Sequence, residues 1–432
     1  PAWWCQPAPL RAAGTSFPLR VAREGAFLVD ATGAPFLIRG DAAWSMIAQL
    51  RLEQAATYLQ DRLARGFNTV LVSLLEHYFA DDPPRNAYGD DPFLIAGDYG
   101  APNEAYFARA EAMLALAAAM GFLVLLTPSY LGAGGGNEGW YQVMAANGPD
   151  KLRHYGRYVG ARYRNLPNIV WLQGGDTDPV DKSLVRAIAG GIAETCPDAL
   201  QTIHCAPGTS VLEQWGSEPW LSLSNVYTYG AIGAACLGQC ALRPTMPVLL
   251  LESFYENEHE VTQRRLRAQA YTALLSGGCG HVFGNNPIWH FGGWRDAGVT
   301  ASWQDALASP GAQAMTHLHR LFAGLPWWSL VPSVDGTFVR GPSSWDGYGP
   351  VAAIARDRSF GIAYLPHGGH VGVDLDRLGG RELQVSWYDP TLGHTLPDRL
   401  LRAPTQGWIT LHAPPSPLGG TGDQLLLLQR PT

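Results

Sequence analysis

Short apolar runs recur along residues 36–325, each leading into a polar or acidic residue and then into a helical stretch. The clearest are Asn168-Ile169-Val170-Trp171-Leu172-Gln173-Gly174-Gly175-Asp176 and Pro247-Val248-Leu249-Leu250-Leu251-Glu252-Ser253. A run this short without polar alternation is buried on both faces, as strands are in a parallel sheet. The others begin near Phe36, Phe67, Phe122, Leu200, Leu221 and Gly280. Amphipathic helices fall between them, for example with Leu52, Ala55, Ala56, Leu59 and Leu63 on one face before Gly66. Eight strands alternating with helices predict a (β/α)8 barrel. A doubly wound open sheet is the alternative, but the glycine-rich phosphate fingerprint it needs after the first strand is absent. Gly132–Gly136 lacks the Lys-Ser/Thr of a phosphate loop and reads as a flexible loop.

The flanks differ. Leu19–Val21 and Ala26–Val29 surround a turn, which predicts a β-hairpin against the barrel. After Pro326-Trp327-Trp328 come short alternating runs with frequent turns, which predict an antiparallel β-sandwich. The expected division is 1–35 for the N-terminal segment, 36–328 for the barrel and 329–432 for the sandwich, with Trp327 and Trp328 buttressing the two.

In a barrel, functional side chains gather where strands end. Those positions hold Asp41 and Trp44, Glu76, His77 and Tyr78, Tyr130, Gln173 and Asp176, His204, Tyr227, Glu252, and Asn286, with Trp289 and Trp294 in the loop beyond. Carboxylates, amides and aromatic faces suit a neutral polyhydroxylated ligand, whose C–H faces stack on rings. Asp176 and Glu252 end strands on opposite sides of the mouth. Such a pair fits glycoside hydrolysis: one protonated carboxyl donates to the leaving oxygen, and an ionised one attacks the anomeric carbon. Here Asp176 is the expected acid/base, with a raised pKa, and Glu252 the nucleophile. The alternatives are that Asp176 caps a helix, where Asp178 is the more natural cap, and that Glu256 or Glu258 is the nucleophile. Asp41, Trp44, Glu76, His77, Tyr78, Tyr130, Gln173, His204, Tyr227, Asn286 and Trp289 are the expected substrate contacts. No HExxH or other close metal-ligand motif occurs, and no metal or organic cofactor is expected.

A net charge of −7 without a basic block argues against nucleic acid. No apolar run approaches the about 18 residues of a membrane span. The start, Pro1-Ala2-Trp3-Trp4-Cys5, has neither an initiator Met nor a leader, and a secreted or periplasmic protein is expected. Cys236 and Cys240 form either a loop disulfide or two buried thiols. Nothing in the sequence sets the oligomeric state. The expected partner is a polysaccharide or oligosaccharide.

The segments PFLIRGDAAW (35–44), GFNTVLVSLL (66–75), NIVWLQGGD (168–176), PVLLLES (247–253) and YLPHGGHVGVDL (364–375) with VSWYDPTLG (385–393) resemble, in this order, the apiosidase-like proteins of glycoside hydrolase family 140. The resemblance runs from about residue 20 to 430. It implies a (β/α)8 catalytic domain with a C-terminal β-sandwich of collagen-binding type. It also implies a retaining mechanism with Asp176 as acid/base and Glu252 as nucleophile, and release of apiose, a branched furanose, from pectin side chains. The loops at 79–103 and 131–140 match no fixed pattern of the family and are expected to shape the pocket.

Overall fold

The structure, a computed structural model, describes residues 14–23, 25–294, 301–334, 336–341, 348–379, 382–396, 399–402, 407–415 and 422–430. Cys5 lies outside the described residues.

Three short strands, β1 (Arg20–Val21), β2 (Leu28–Val29) and β3 (Pro35–Phe36), form a small antiparallel sheet. Phe36 therefore belongs to this sheet, and the first barrel strand begins two residues later than the apolar run suggested. The barrel strands are β4 (Ile38–Ala42), β5 (Thr69–Ser73), β6 (Leu123–Thr127), β7 (Ile169–Gly174), β8 (Gln201–His204), β9 (Ser224–Tyr227), β10 (Val248–Glu252) and β11 (Gly280–Phe283). They are parallel, in the order β8-β7-β6-β5-β4-β11-β10-β9. The ring closes through a parallel bridge between Gln201 and Leu221, where the Ser222 N–H donates to the Gln201 carbonyl at 2.8 Å. The main intervening helices are α1 (Met46–Gln49), α2 (Leu52–Ala64), α3 (Glu104–Ala119), α4 (Tyr141–Tyr163), α5 (Lys182–Thr195), α6 (Val211–Trp215), α7 (Ile232–Leu242), α8 (Gln263–Leu275), α9 (Trp303–Ala306) and α10 (Pro310–Ala323).

The pleat explains why the strands lack polar alternation. Leu249 and Leu251 of β10 pack inside the barrel with Leu71, Leu125 and Leu172. Val248 and Leu250 pack outward on Ile232, Cys236 and Ala273 of the helices. Both faces are dry, so both are apolar. Truncating such a leucine to alanine costs about 2–5 kcal/mol.

Cys236 and Cys240 both lie on α7, and Cys196, Cys205, Cys236, Cys240 and Cys279 are all free thiols. The loop disulfide is therefore excluded: this stretch is a helix turn.

Beyond the barrel, an antiparallel sheet runs β12-β14-β15-β21-β17-β18, with β19 also on β17, and faces a three-stranded sheet β13-β16-β20. These strands span Leu330–Ser333 (β12), Val339–Arg340 (β13), Val351–Ala355 (β14), Phe360–Leu365 (β15), His370–Asp374 (β16), Glu382–Asp389 (β17), His394–Thr395 (β18), Arg399–Arg402 (β19), Trp408–His412 (β20) and Gln424–Gln429 (β21). Phe338, Val371, Val373, Val385, Leu426 and Leu428 fill the space between the sheets. Trp327 packs edge-on against Phe27 of the N-terminal segment and lies against the core shared by barrel and sandwich, while Trp328 is exposed. Arg267 of α8 adds two bonds to buried Asp423, at 2.8 and 2.6 Å. The Tyr364 hydroxyl donates to the same carboxylate, and its ring stacks on Tyr271 of α8 at 5.0 Å.

Candidate active site

The carboxyl ends of the strands open into a cleft of about 370 Å³, within the usual range for small-ligand sites. Two local devices bring Asp176 and Glu252 into it.

The first follows β7. Gly174, Gly175 and Asp176 all have positive φ, at 80°, 135° and 51°. A Cβ on Gly174 would lie 2.4 Å from the His204 carbonyl oxygen, and one on Gly175 would lie 2.3 Å from the Tyr130 ring. Only glycines permit this turn. It lets Tyr130 close down until its hydroxyl donates to Asp176 Oδ2 at 2.6 Å. Asp176 does not cap α5; that cap is Asp181, whose side chain accepts from the Ser183 N–H. Asp178 instead accepts from the Thr209 hydroxyl at 2.6 Å.

The second device is a bulge. Since Leu249 and Leu251 face inward, strict alternation would send Glu252 outward among the helices. Leu250 pairs with Val226, but Glu252 pairs with Tyr227, two residues on one strand against one on the other. This extra residue turns Glu252 into the cleft beside Tyr227.

His204 links the two carboxyl groups. Its Nδ1 accepts the Asp176 backbone N–H at 3.0 Å, so the ring proton resides on Nε2, 3.0 Å from Glu252 Oε2. That N–H points off the line to the oxygen, so the contact is a close electrostatic one rather than a well-aligned hydrogen bond. One ligand atom each from Asp176, His204 and Glu252 lie within 4.8 Å of one another. A ring in this tautomer has no lone pair left for a cation, which argues against reading the trio as a metal site. Burial opposes charge on His204, but Glu252 and Asp176 outweigh it and raise its pKa. The N–H aimed at Nδ1 favours the neutral ring.

Desolvation pushes Glu252 up to about 7, with the nearby Asp176 charge adding to the rise, while His204 and the Tyr255 hydroxyl oppose it. Trp44 Nε1 donates to that Tyr255 oxygen at 3.1 Å, which leaves the tyrosine proton for Glu252.

Of the expected contacts, Trp44, Glu76, Tyr130, Tyr227 and Trp289 line the cleft. Tyr227 stacks on His204 at 4.8 Å. His204 lies behind the carboxyls, fully buried. Other expected contacts are placed elsewhere. Asp41 lies within β4 and is fully buried, accepting from Tyr58 at 2.7 Å and pairing with Arg62 at 3.4 Å. Gln173 shares the outward face of β7 with Trp171 and bonds Gln201 at 3.0 Å. His77 contacts the Asn137 carbonyl and the Trp140 ring, and Tyr78 is exposed against Phe79. The cause is Glu76: its Oε1 accepts the N–H groups of His77, Tyr78 and Phe79, a tight turn that swings these side chains aside. Asn286 is buried behind Glu258, to which its amide donates at 3.1 Å.

Glu256 is buried and accepts from Ser309, Asn285, Gln263 and the Gly311 N–H, a structural cap for α10. Glu258 lines the cleft and accepts the Trp289 indole N–H at 2.8 Å. Contacts the sequence reading missed include Phe79, Glu138, Tyr229, Tyr255, Asn257 and His259. Three of these lie in 253–260, a polar and aromatic stretch directly after β10. Trp294 joins Phe79 and Trp289 in an aromatic wall. Of the long loop after Phe79, Phe93 and Tyr99 serve the core.

Barrel, cleft and facing carboxyls define the scaffold of a glycoside hydrolase. It is similar to a glycoside hydrolase family 5 structure from Bacteroides vulgatus ATCC 8482, at 23% identity and TM-score 0.82, over 96% of this chain and 95% of that one. A structure described as "Glycoside hydrolase" gives 23% identity and TM-score 0.80, over 96% and 97% of the two chains. A family 5 mannosidase from Rhizomucor miehei shares the barrel at 11% identity and TM-score 0.54, covering 72% of this chain and 99% of its own. No curated protein matches the chain. The family model "Apiosidase-like, catalytic domain" matches residues 22–329, and "Putative collagen-binding domain of a collagenase" matches 346–429. The chain belongs to the apiosidase-like family. Among the described residues, no helix is long and apolar enough to cross a membrane.

Proposed function

We propose that the protein is a retaining glycoside hydrolase that releases a terminal sugar, apiose or another furanose, from a plant or microbial glycan. The observation carrying this reading is the close approach of two carboxyls in one cleft, with an oxygen of each within 4.8 Å of the other. Retaining enzymes hold their carboxyls about 5–5.5 Å apart, whereas inverting ones leave about 6.5–9.5 Å for a water.

In the first step Asp176 donates its proton to the glycosidic oxygen while Glu252 attacks the anomeric carbon. The C–O bond breaks, the aglycone leaves as an alcohol, and the sugar becomes an ester of Glu252. In the second step the Asp176 carboxylate takes a proton from water, which attacks the same carbon and frees Glu252. Tyr130 and Tyr255 donate to the two carboxyls, and the aromatic wall faces the sugar.

Asp176→Ala and Glu252→Ala should fold normally and lose at least about 10³-fold in kcat/KM on any glycan the wild type cleaves. Activity within about tenfold of wild type would remove that residue from its role. Glycan binding without turnover by the wild type would instead support a carbohydrate-binding protein on a hydrolase barrel.

A further inference from the structure

We infer that the C-terminal sandwich carries a metal site on its outer face: His370 and His412 together bind one borderline divalent cation, of the class of Zn²⁺, and the ion clips β16 to β20. The inference stands apart from the hydrolase reading and from the catalytic cleft.

The two histidines lie far apart in sequence, so no close-spaced ligand motif announces them. The small sheet brings them face to face. β16 and β20 are antiparallel, and His370 is the direct partner of His412. The next pair along, Val371 and Leu411, is buried between the sheets. Side chains alternate along a strand, so both histidines point outward, and both are exposed. The Ala413 N–H donates to the Gly369 carbonyl at 2.7 Å, joining the residues just outside the pair. His370–His412 is therefore a non-hydrogen-bonded pair, the type whose Cα atoms approach to about 4.5 Å and whose side chains lie closest. Buried Val371, Val373 and Leu411 hold this register, because a slip of one residue would turn them out to solvent.

The rings fit one ion. Their centroids are 5.9 Å apart and their planes cross at 40°. An imidazole nitrogen sits about 2.0–2.1 Å from zinc, so two rings on one tetrahedral ion have centroids about 5–6 Å apart. Small side-chain rotations then aim both nitrogens at one point, with no change in the strands. Imidazole suits Zn²⁺, Ni²⁺ and Cu²⁺, whereas Mg²⁺ and Ca²⁺ take oxygen ligands. Water fills the positions the two histidines leave. The ion would matter to the sheet because β20 ends the order β13-β16-β20 and pairs with β16 alone among the described strands. The chain between β16 and β20 runs through β17, β18 and β19, so the clip closes a long loop.

The test titrates Zn²⁺ into the full chain, purified without a histidine tag, by isothermal calorimetry. His370→Ala, His412→Ala and the double variant are measured beside it. Both positions are exposed, so the variants should melt as the wild type does. Each single variant should weaken Zn²⁺ binding at least about tenfold. The double variant should add little to that, since one imidazole alone no longer chelates. In the wild type, Zn²⁺ should also slow amide hydrogen exchange in peptides spanning β16 and β20. Wild-type affinity in either single variant, or no Zn²⁺ binding by the wild type, would overturn the inference. Binding that survives the double variant and disappears in Glu252→Gln would place the ion in the cleft and overturn it as well.

Discussion

Two strand-end carboxyls, Asp41 on β4 and Glu252 on β10, are both buried, and desolvation raises both pKa values, to about 6 and about 7. Their neighbours differ. Asp41 has a permanent counter-cation in Arg62 and a hydroxyl from Tyr58. Glu252 faces a second carboxyl and a neutral imidazole. Burial alone therefore does not mark a reactive carboxyl. A carboxyl with a built-in cation is tied into the fold, while one facing another carboxyl keeps its proton exchangeable and its charge available.

Asp41→Asn should show the largest effect on the structural side of this contrast. It strips the buried Arg62 of its partner and should lower stability in urea denaturation by about 3 kcal/mol, with Asp61 retaining part of the compensation. kcat/KM per folded molecule should stay within about threefold. A large activity loss with unchanged stability would place Asp41 in the site after all.

Glu252→Gln should act in the opposite sense. A carboxyl whose folded pKa is raised contributes stability that is present below its unfolded pKa and lost as pH rises through the folded value. For Glu252 that window runs from 4.5 to about 7. At pH 8 the variant should be more stable than wild type by up to about 3 kcal/mol, since each pKa unit is worth about 1.4 kcal/mol. At pH 4 the two should melt together. A variant less stable at pH 8 would mean that Glu252 is a paired structural group like Asp41.

Tyr255→Phe sharpens the contrast by a smaller step. The hydroxyl holds the Glu252 pKa down, so its loss should raise that pKa. The acid limb of kcat/KM, set by the need for an ionised nucleophile, should move up by about half to one pH unit. An unmoved limb would take Tyr255 out of contact with the nucleophile.

The barrel was legible because both faces of its strands are dry, which leaves continuous apolar runs such as Val248–Leu251. The two central carboxyls were legible because each ends such a run. Much of their setting was not. The β10 bulge that aims Glu252 depends on its pairing with β9, which no local pattern encodes. Gln173 was misread because its direction follows the pleat, not its place near the strand end. Asp41 was misread because its cation comes from Arg62 on a separate helix, and His77 and Tyr78 because Glu76 ties the turn beneath them. Tyr255 and Glu258 carried a faint signal in the polar stretch after β10, but only the folded loop brings them back over the cleft.

The central claim is that Glu252 attacks the sugar while Asp176 carries the proton. Its most direct test is to inactivate the enzyme with a 2-deoxy-2-fluoro glycosyl fluoride of the sugar it releases, digest it, and map the modified peptide by mass spectrometry. The account predicts one sugar per chain, esterified to Glu252, and no label in Glu252→Gln. A label on Glu258, or cleavage with inversion and no covalent adduct, would contradict it.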